Sequence, residues 1–165
     1  MLPRKIRMSD LDAFHELFSL VAAEGLYSTR PSAPPKAVIA RALERADEGG
    51  WAVYVIEHEG RIIATAEAYP DNYCRPEGDA AVGILGMQVH ANWRRQGLGK
   101  RLLERVIRHC REQGMRCIEL TVLESNQPAI ALYLKYGFVW LEDLSPCHLP
   151  GGQADLPQRM RLALA

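Results

Sequence analysis

Two glycines lie where a strand is expected to end and a helix to begin. Gly97 and Gly99 follow an apolar run that ends at Val89, and Arg94 and Lys100 flank them. A helix N-terminus presents unpaired backbone N–H groups and the positive end of the helix dipole, and it binds phosphate for that reason. The spacing therefore predicts a site for a phosphate-bearing ligand at this turn.

A second group of functional side chains follows further along the chain. Asn126 precedes a predicted helix, and Tyr133 lies within it, just before Gly137 and Phe138. An amide side chain can hydrogen-bond a ligand, and a tyrosine hydroxyl can donate a proton. Together with the phosphate site, these residues indicate a site for a phosphate-bearing acyl carrier with a proton donor nearby.

Two other phosphate-binding motifs can be compared with the glycine turn. A Walker A loop is excluded because its frame is absent and Arg101 stands where that motif needs a hydroxyl residue. A dinucleotide fingerprint is incomplete, since Leu102 occupies its third glycine position, although Glu119 falls about 20 residues later as that motif requires. The dinucleotide motif stays open as a distant alternative, as does a plain strand-to-helix turn.

The apolar periodicity along the chain predicts the elements that position these residues. Spacings of three and four predict helices, and alternation predicts strands, in the order β-α-α-β-β-β-α-β-α-β-β. The first strand is expected at Ile6, and residues 70–78 and 144–157 are expected to be loops. This order predicts a single domain over residues 1–165, of the α/β or α+β class, with a mixed sheet.

Composition limits the kinds of partner. Of the 165 residues, 48% are hydrophobic, and twenty basic side chains balance twenty acidic ones, so we expect neither nucleic acid nor an anionic membrane as a partner. No apolar run approaches the ~20 residues that span a bilayer, and the first ten residues do not form a secretory signal. The four cysteines are scattered and the histidines lack metal-ligand spacing, so we expect a cytoplasmic protein without a metal site.

The two motifs together resemble those of a known family. Arg94-x-x-Gly97-x-Gly99, followed by Asn126 and the run through Tyr133, is similar to the two linked signatures of the GNAT superfamily of acyl-CoA N-acyltransferases. The resemblance implies a GNAT-like α/β (α+β) domain whose mixed central sheet is flanked by helices. It also implies a splayed strand pair in which the pantetheine arm of acetyl-CoA lies.

The resemblance assigns coenzyme contacts residue by residue. Strand backbone would pair with pantetheine, the backbone of the turn would cradle the pyrophosphate, and an amide would hydrogen-bond the pantetheine arm. The strand residues are Met87, Gln88 and Val89, and the amide is that of Asn126. The backbone N–H groups of the turn are those of Arg95, Gln96, Gly97, Leu98, Gly99 and Lys100, with positive charge added by Arg94, Arg95 and Lys100.

The resemblance also implies the acid–base chemistry. Tyr133 would protonate the leaving thiolate as general acid. Some relatives carry the glutamate that acts as general base in the strand before the asparagine, where this chain has Thr121. Others carry it in the strand before the glycine turn, where residues 83–88 of this chain hold no carboxylate. Glu67, on the preceding strand, is therefore the first candidate for the general base, ahead of His90 and Glu119.

The implied activity is transfer of acetyl from acetyl-CoA to a primary amine by direct attack. A small-molecule amine is preferred over a protein N-terminus because of Thr121. Residues 24–35, 71–79 and 143–157 are expected to select the acceptor. A non-catalytic acyl-CoA-binding sensor or regulatory module is the alternative, and dimers are common among such proteins.

Overall fold

The computed structural model describes residues 1–164 and places them in one seven-stranded sheet with helices on both faces, plus a small two-stranded sheet. The strands are β1 (Arg4–Lys5), β2 (Ala52–His58), β3 (Arg61–Pro70), β4 (Val82–Val89), β5 (Cys117–Leu123), β6 (Val139–Asp143), β7 (Cys147–His148), β8 (Ala154–Asp155) and β9 (Pro157–Ala163). The helices are α1 (Leu11–Ala23), α2 (Lys36–Gly49), α3 (Asp71–Cys74), α4 (Leu98–Glu112) and α5 (Gln127–Lys135). None of the helices within residues 1–164 is long and apolar enough to cross a membrane.

The large sheet has the strand order β1-β2-β3-β4-β5-β9-β6. Only β4 and β5 are parallel, and every other neighbouring pair is antiparallel. Helix α4 makes the crossover between the two parallel strands, as a parallel connection requires. The predicted mixed sheet flanked by helices is confirmed.

Each face of the sheet has its own hydrophobic core. The α4 face buries Tyr54, Ile118 and Phe138 against the apolar side of α4, while α1 and α2 cover the other face around Leu17 and Val55. Successive strand residues point to opposite faces, so β3 sends its alanines to the α4 core. Thr65, Glu67 and Tyr69 consequently lie on the α1–α2 face.

Two segments predicted to be loops contain secondary structure. Residues 71–74 form one helical turn, which Asp71 stabilises by accepting two hydrogen bonds from the Arg75 guanidinium. Residues 147–155 form the β7–β8 hairpin, closed by a bond from the Gly152 N–H to the Leu149 carbonyl. Both elements are too short to show a hydrophobic period. The first strand was also expected at Ile6 and lies instead at Arg4–Lys5.

Candidate active site

Strands β4 and β5 pair over a short stretch and then separate. Val82 to Ile84 pair with Cys117 to Glu119, whereas β4 continues to Val89 and β5 to Leu123 without further pairing between them. Within residues 1–164, the edge of β4 that faces β5 is therefore open beyond Ile84. An extended ligand can add to such an edge as a strand does.

The register of β3 against β4 shows which backbone groups line this gap. The His90 N–H donates to the Ile63 carbonyl at 2.8 Å, so Val89 and Ala64 form a non-hydrogen-bonded pair. By alternation, the N–H and C=O groups of Val89 and Met87 point away from β3 and into the gap. Gln88 was predicted with them, but its backbone groups face β3, and its side chain lies on the α1–α2 face.

The glycine turn leaves a row of backbone donors exposed. None of the N–H groups from residues 95–100 bonds to an acceptor within the described chain, and the first helical bond of α4 runs from the Arg101 N–H to the Gly97 carbonyl. Gly97 has a φ of 80°, which an L-residue rarely adopts, and a Cβ there would meet nothing within 4 Å. The exposed side chains of Arg95 and Lys100 add positive charge. The turn is thus built to hold an anion.

Arg94 is held differently from the other cations of the turn. Its guanidinium makes two bonds to the Glu24 carboxylate, at 2.7 and 2.6 Å, and lies over the Tyr27 ring with 4.5 Å to the centroid. Its Nε donates to the Val89 carbonyl at 3.0 Å. The side chain of Arg94 therefore points to the loop after α1, and Arg95 and Lys100 supply the exposed charge of the turn.

Asn126 and Tyr133 sit at the start and inside of α5. The Asn126 Oδ1 accepts from the Ala129 N–H at 3.4 Å, so Asn126 caps the helix and keeps its amide N–H donors for other partners. Tyr133 is 7% exposed and packs on Phe138 with 5.6 Å between ring centroids. Burial, together with the nearby Glu67 carboxylate, raises the pKa of Tyr133 to about 12, so its hydroxyl stays protonated at neutral pH.

Glu67 reaches across β4 because a glycine stands opposite it. Glu67 pairs with Gly86, and a Cβ at position 86 would lie 2.4 Å from the Glu67 Oε1. The carboxylate therefore occupies the space that a residue-86 side chain would fill. The Glu67 Oε2 is buried with no hydrogen-bond partner, and burial raises the pKa of Glu67 to about 8. Burial, and after it the Glu67 carboxylate, also raises the pKa of Tyr69.

The weaker base candidates are already engaged. Glu119 accepts from the Arg161 guanidinium at 2.8 and 3.0 Å, and His90 accepts from the Asn92 N–H at 3.1 Å as the cap of a short 3-10 turn. Of the two carboxylates considered for proton abstraction, Glu67 is the one with a buried oxygen that has no hydrogen-bond partner among residues 1–164. Sequence reasoning overlooked the role of Gly86, although a glycine inside a strand is a recognised signal of close approach.

Comparison with known proteins agrees with this geometry. A family model described as "Acetyltransferase (GNAT) family" matches residues 13–138. The chain is 30% identical over 107 residues to a mycothiol acetyltransferase of Thermobifida fusca, covering 63% of this chain and 33% of that protein. It is 40% identical over 55 residues to the [ribosomal protein bS18]-alanine N-acetyltransferase of Escherichia coli K12, covering 33% of this chain and 37% of that protein. These matches span about a third of the length of the curated relatives.

Solved structures share the whole fold. The ribosomal-protein-alanine N-acetyltransferase of Brucella melitensis superposes with a TM-score of 0.87 at 25% identity, over 99% of this chain and 100% of that one. The yncA protein of Salmonella typhimurium, a putative acetyltransferase solved with its cofactor acetyl-CoA, superposes with a TM-score of 0.88 at 22% identity, over 100% of this chain and 94% of that one.

Proposed function

The chain belongs to the acetyltransferase (GNAT) family, and on that premise we propose that it transfers acetyl from acetyl-CoA to a primary amine. One observation carries the proposal. The open stretch of β4 runs from the unpartnered Glu67 carboxylate, lying over Gly86, to the exposed N–H groups of the glycine turn. The proposed coenzyme contacts and the proposed base therefore border the same gap.

Acetyl-CoA would bind along this gap. Its pantetheine arm would pair with the backbone of Met87 and Val89, its pyrophosphate would accept bonds from residues 95–100, and Asn126 would hydrogen-bond the arm. This placement brings the thioester to the open edge of β4. The Met87 N–H, which points into the gap next to Gly86, would polarise the thioester carbonyl as negative charge develops on its oxygen.

Glu67 and Tyr133 would move the protons. The acceptor ammonium gives one proton to the Glu67 carboxylate, directly or through one water, and the amine nitrogen then attacks the carbonyl carbon. The C–S bond breaks, Tyr133 protonates the leaving sulfur, and the second proton of the nitrogen replaces the one that Tyr133 gave. Glu67, with a pKa of about 8, can accept a proton from an ammonium group near neutral pH. Tyr133, with a pKa of about 12, keeps its proton at neutral pH and therefore still carries it when the thiolate leaves.

The charge distribution favours an acceptor with a single ammonium. Four acids in or next to the loops that would select the acceptor form ion pairs with arginines, and Asp143 accepts hydrogen bonds from Trp140 and Gln158. The ion pairs are Glu24 with Arg94, Asp71 with Arg75, Asp79 with Arg116, and Glu142 with Arg159. A polyamine would find few unpaired carboxylates for its further ammonium groups, whereas a single ammonium needs only the ionised form of Glu67 to take its proton. We therefore propose a monoamine acceptor, with a small molecule preferred over a protein N-terminus.

Free-thiol release from acetyl-CoA tests the proposal across polyamines, aminoglycosides, amino acids and short peptides. We expect release that depends on single-ammonium acceptors, and a kcat about 10²- to 10⁴-fold lower in Glu67→Gln. Glu112→Gln changes an exposed glutamate at the end of α4, at the opposite end of that helix from the glycine turn, and is the matched control. If acetyl-CoA binds but no acceptor releases thiol, the protein is better described as a non-catalytic acyl-CoA-binding module.

A further inference from the structure

Arg94 joins the two sides of the proposed cleft through one guanidinium. On one side, its Nε donates to the Val89 carbonyl at the end of the open edge of β4. On the other side, its two terminal nitrogens bond the Glu24 carboxylate, and one of them also bonds the Tyr27 hydroxyl at 3.1 Å. We call Arg94, Glu24 and Tyr27 the arginine clamp.

The clamp is the main anchor of the segment between α1 and α2. Among residues 1–164, the only hydrogen bonds that tie residues 24–34 to a distant part of the chain are those from Arg94. The Arg94 and Glu24 side chains are 28% and 26% exposed, so the pair is partly shielded from water. A bidentate, partly buried pair holds its geometry better than a single-contact pair on the surface.

We propose that Arg94 is a positioning residue that couples coenzyme binding to the order of residues 24–34, on the acceptor side of the cleft. This inference rests on the proposed function, since it takes the glycine turn as the pyrophosphate site. Coenzyme that fixes the turn also fixes the Arg94 backbone, and the guanidinium then presents Glu24 with two donors in a fixed orientation. Because coenzyme binding has already fixed the Arg94 side of this contact, less conformational entropy remains to be lost when residues 24–34 become ordered.

An arginine in this turn could either bind the coenzyme phosphate or position residues 24–34, and the contacts of the clamp distinguish the two roles. A guanidinium directed at phosphate would contribute mainly to coenzyme affinity. The Arg94 guanidinium is directed at Glu24, and Arg95 and Lys100 provide the exposed charge of the turn. Breaking the clamp should therefore change the response of residues 24–34 to coenzyme more than it changes coenzyme affinity.

Hydrogen exchange of the full chain, with and without saturating acetyl-CoA, tests the coupling, and calorimetry gives the dissociation constant in parallel. In the wild type we expect exchange in residues 24–34 to slow at least fivefold when acetyl-CoA binds. In Glu24→Gln, acetyl-CoA should slow this exchange much less than in the wild type. The dissociation constant of Glu24→Gln for acetyl-CoA should increase by a smaller factor than the one by which the slowing decreases. Arg30→Gln lies in the same segment outside the clamp and should behave like the wild type.

Arg94→Lys is the second variant, because it keeps the charge but cannot form the bidentate pair or the stack on Tyr27, and it tests the coupling if Glu24→Gln does not fold. Equal slowing in the wild type and the clamp variants would overturn the coupling. Slowing that is absent from the wild type, although acetyl-CoA binds, would also overturn it while leaving the proposed function intact. Absence of acetyl-CoA binding would overturn the proposed function, and the coupling with it.

Discussion

Glu67→Gln removes the ionisable group of a half-buried side chain while keeping its length and one carbonyl oxygen. In the folded protein the pKa of Glu67 is about 8, against an ordinary value of 4.5. Between these two pH values the folded protein keeps a proton that the unfolded chain has released. The stability contributed by Glu67 is therefore fully present below about pH 4.5, falls as the pH rises, and is lost by about pH 8.

The size of the effect follows from the same two values. Each pH unit between them corresponds to about 1.4 kcal/mol, so the free energy of unfolding falls by about 3 kcal/mol from pH 4.5 to pH 7. It falls by about 5 kcal/mol in total once the pH exceeds 8. Glutamine does not ionise, so Glu67→Gln should be more stable than the wild type by about 3 kcal/mol at pH 7, which is about 6–12 °C in Tm for a chain of this size.

Urea unfolding at pH 5, 7 and 9 measures this difference. We expect Glu67→Gln to exceed the wild type by less than about 1 kcal/mol at pH 5 and the difference to grow as the pH rises. We expect Glu112→Gln to match the wild type throughout. At the same time Glu67→Gln should lose activity, because the proposed base is gone. A difference in stability that does not grow with pH would refute the account of Glu67 as a buried, unpartnered carboxylate.

Three further substitutions test neighbouring parts of the site. Tyr133→Phe should lower kcat about 10²- to 10⁴-fold with an unchanged calorimetric dissociation constant for acetyl-CoA, and equal losses of rate and affinity would contradict a general acid. Gly86→Ala places a Cβ 2.4 Å from the Glu67 Oε1, so the carboxylate must move and kcat should fall at least about tenfold. Adding Gly86→Ala to Glu67→Gln should lower kcat no further than Glu67→Gln alone, and additive losses of kcat would argue against a shared role of the two residues. Lys100→Gln should weaken acetyl-CoA binding about tenfold and reduce its salt dependence, whereas Lys36→Gln, on α2, should do neither.

The fold could be predicted from the sequence where elements are long and periodic. The buried residues of α4 recur at helical spacing, and β5 alternates apolar and polar residues, so both were assigned correctly. The position of β9 between β5 and β6 depends on pairing between distant segments, and no local pattern indicates it. The α3 turn and the β7–β8 hairpin depend on single interactions such as those of Asp71.

The candidate active site likewise has parts that local sequence motifs predict and parts that depend on contacts between distant residues. The glycine turn and the helix that carries Tyr133 are local motifs, and their sequence predicted the structure around them. The clamp joins residues 70 positions apart, since Arg94 and Glu24 meet only after α1 has packed on the sheet. Neither residue type nor spacing indicates such a pair. In the sequence, an arginine that pairs with a distant glutamate cannot be distinguished from one in the same turn that binds phosphate.

Glu67, the proposed base, lies on β3, outside the two strands where some relatives carry this glutamate. Proton abstraction requires a carboxylate at one point in space, and the chain can supply it from any strand that passes that point. Here β4 carries Gly86, and the register of β3 brings Glu67 directly opposite, so the glycine makes room for a carboxylate from the neighbouring strand. The two strands that border the gap carry Gly86 and Thr121 at the corresponding positions, and the Glu119 carboxylate on β5 is held by Arg161. Once the strand register is known, the glycine itself marks where the carboxylate must lie.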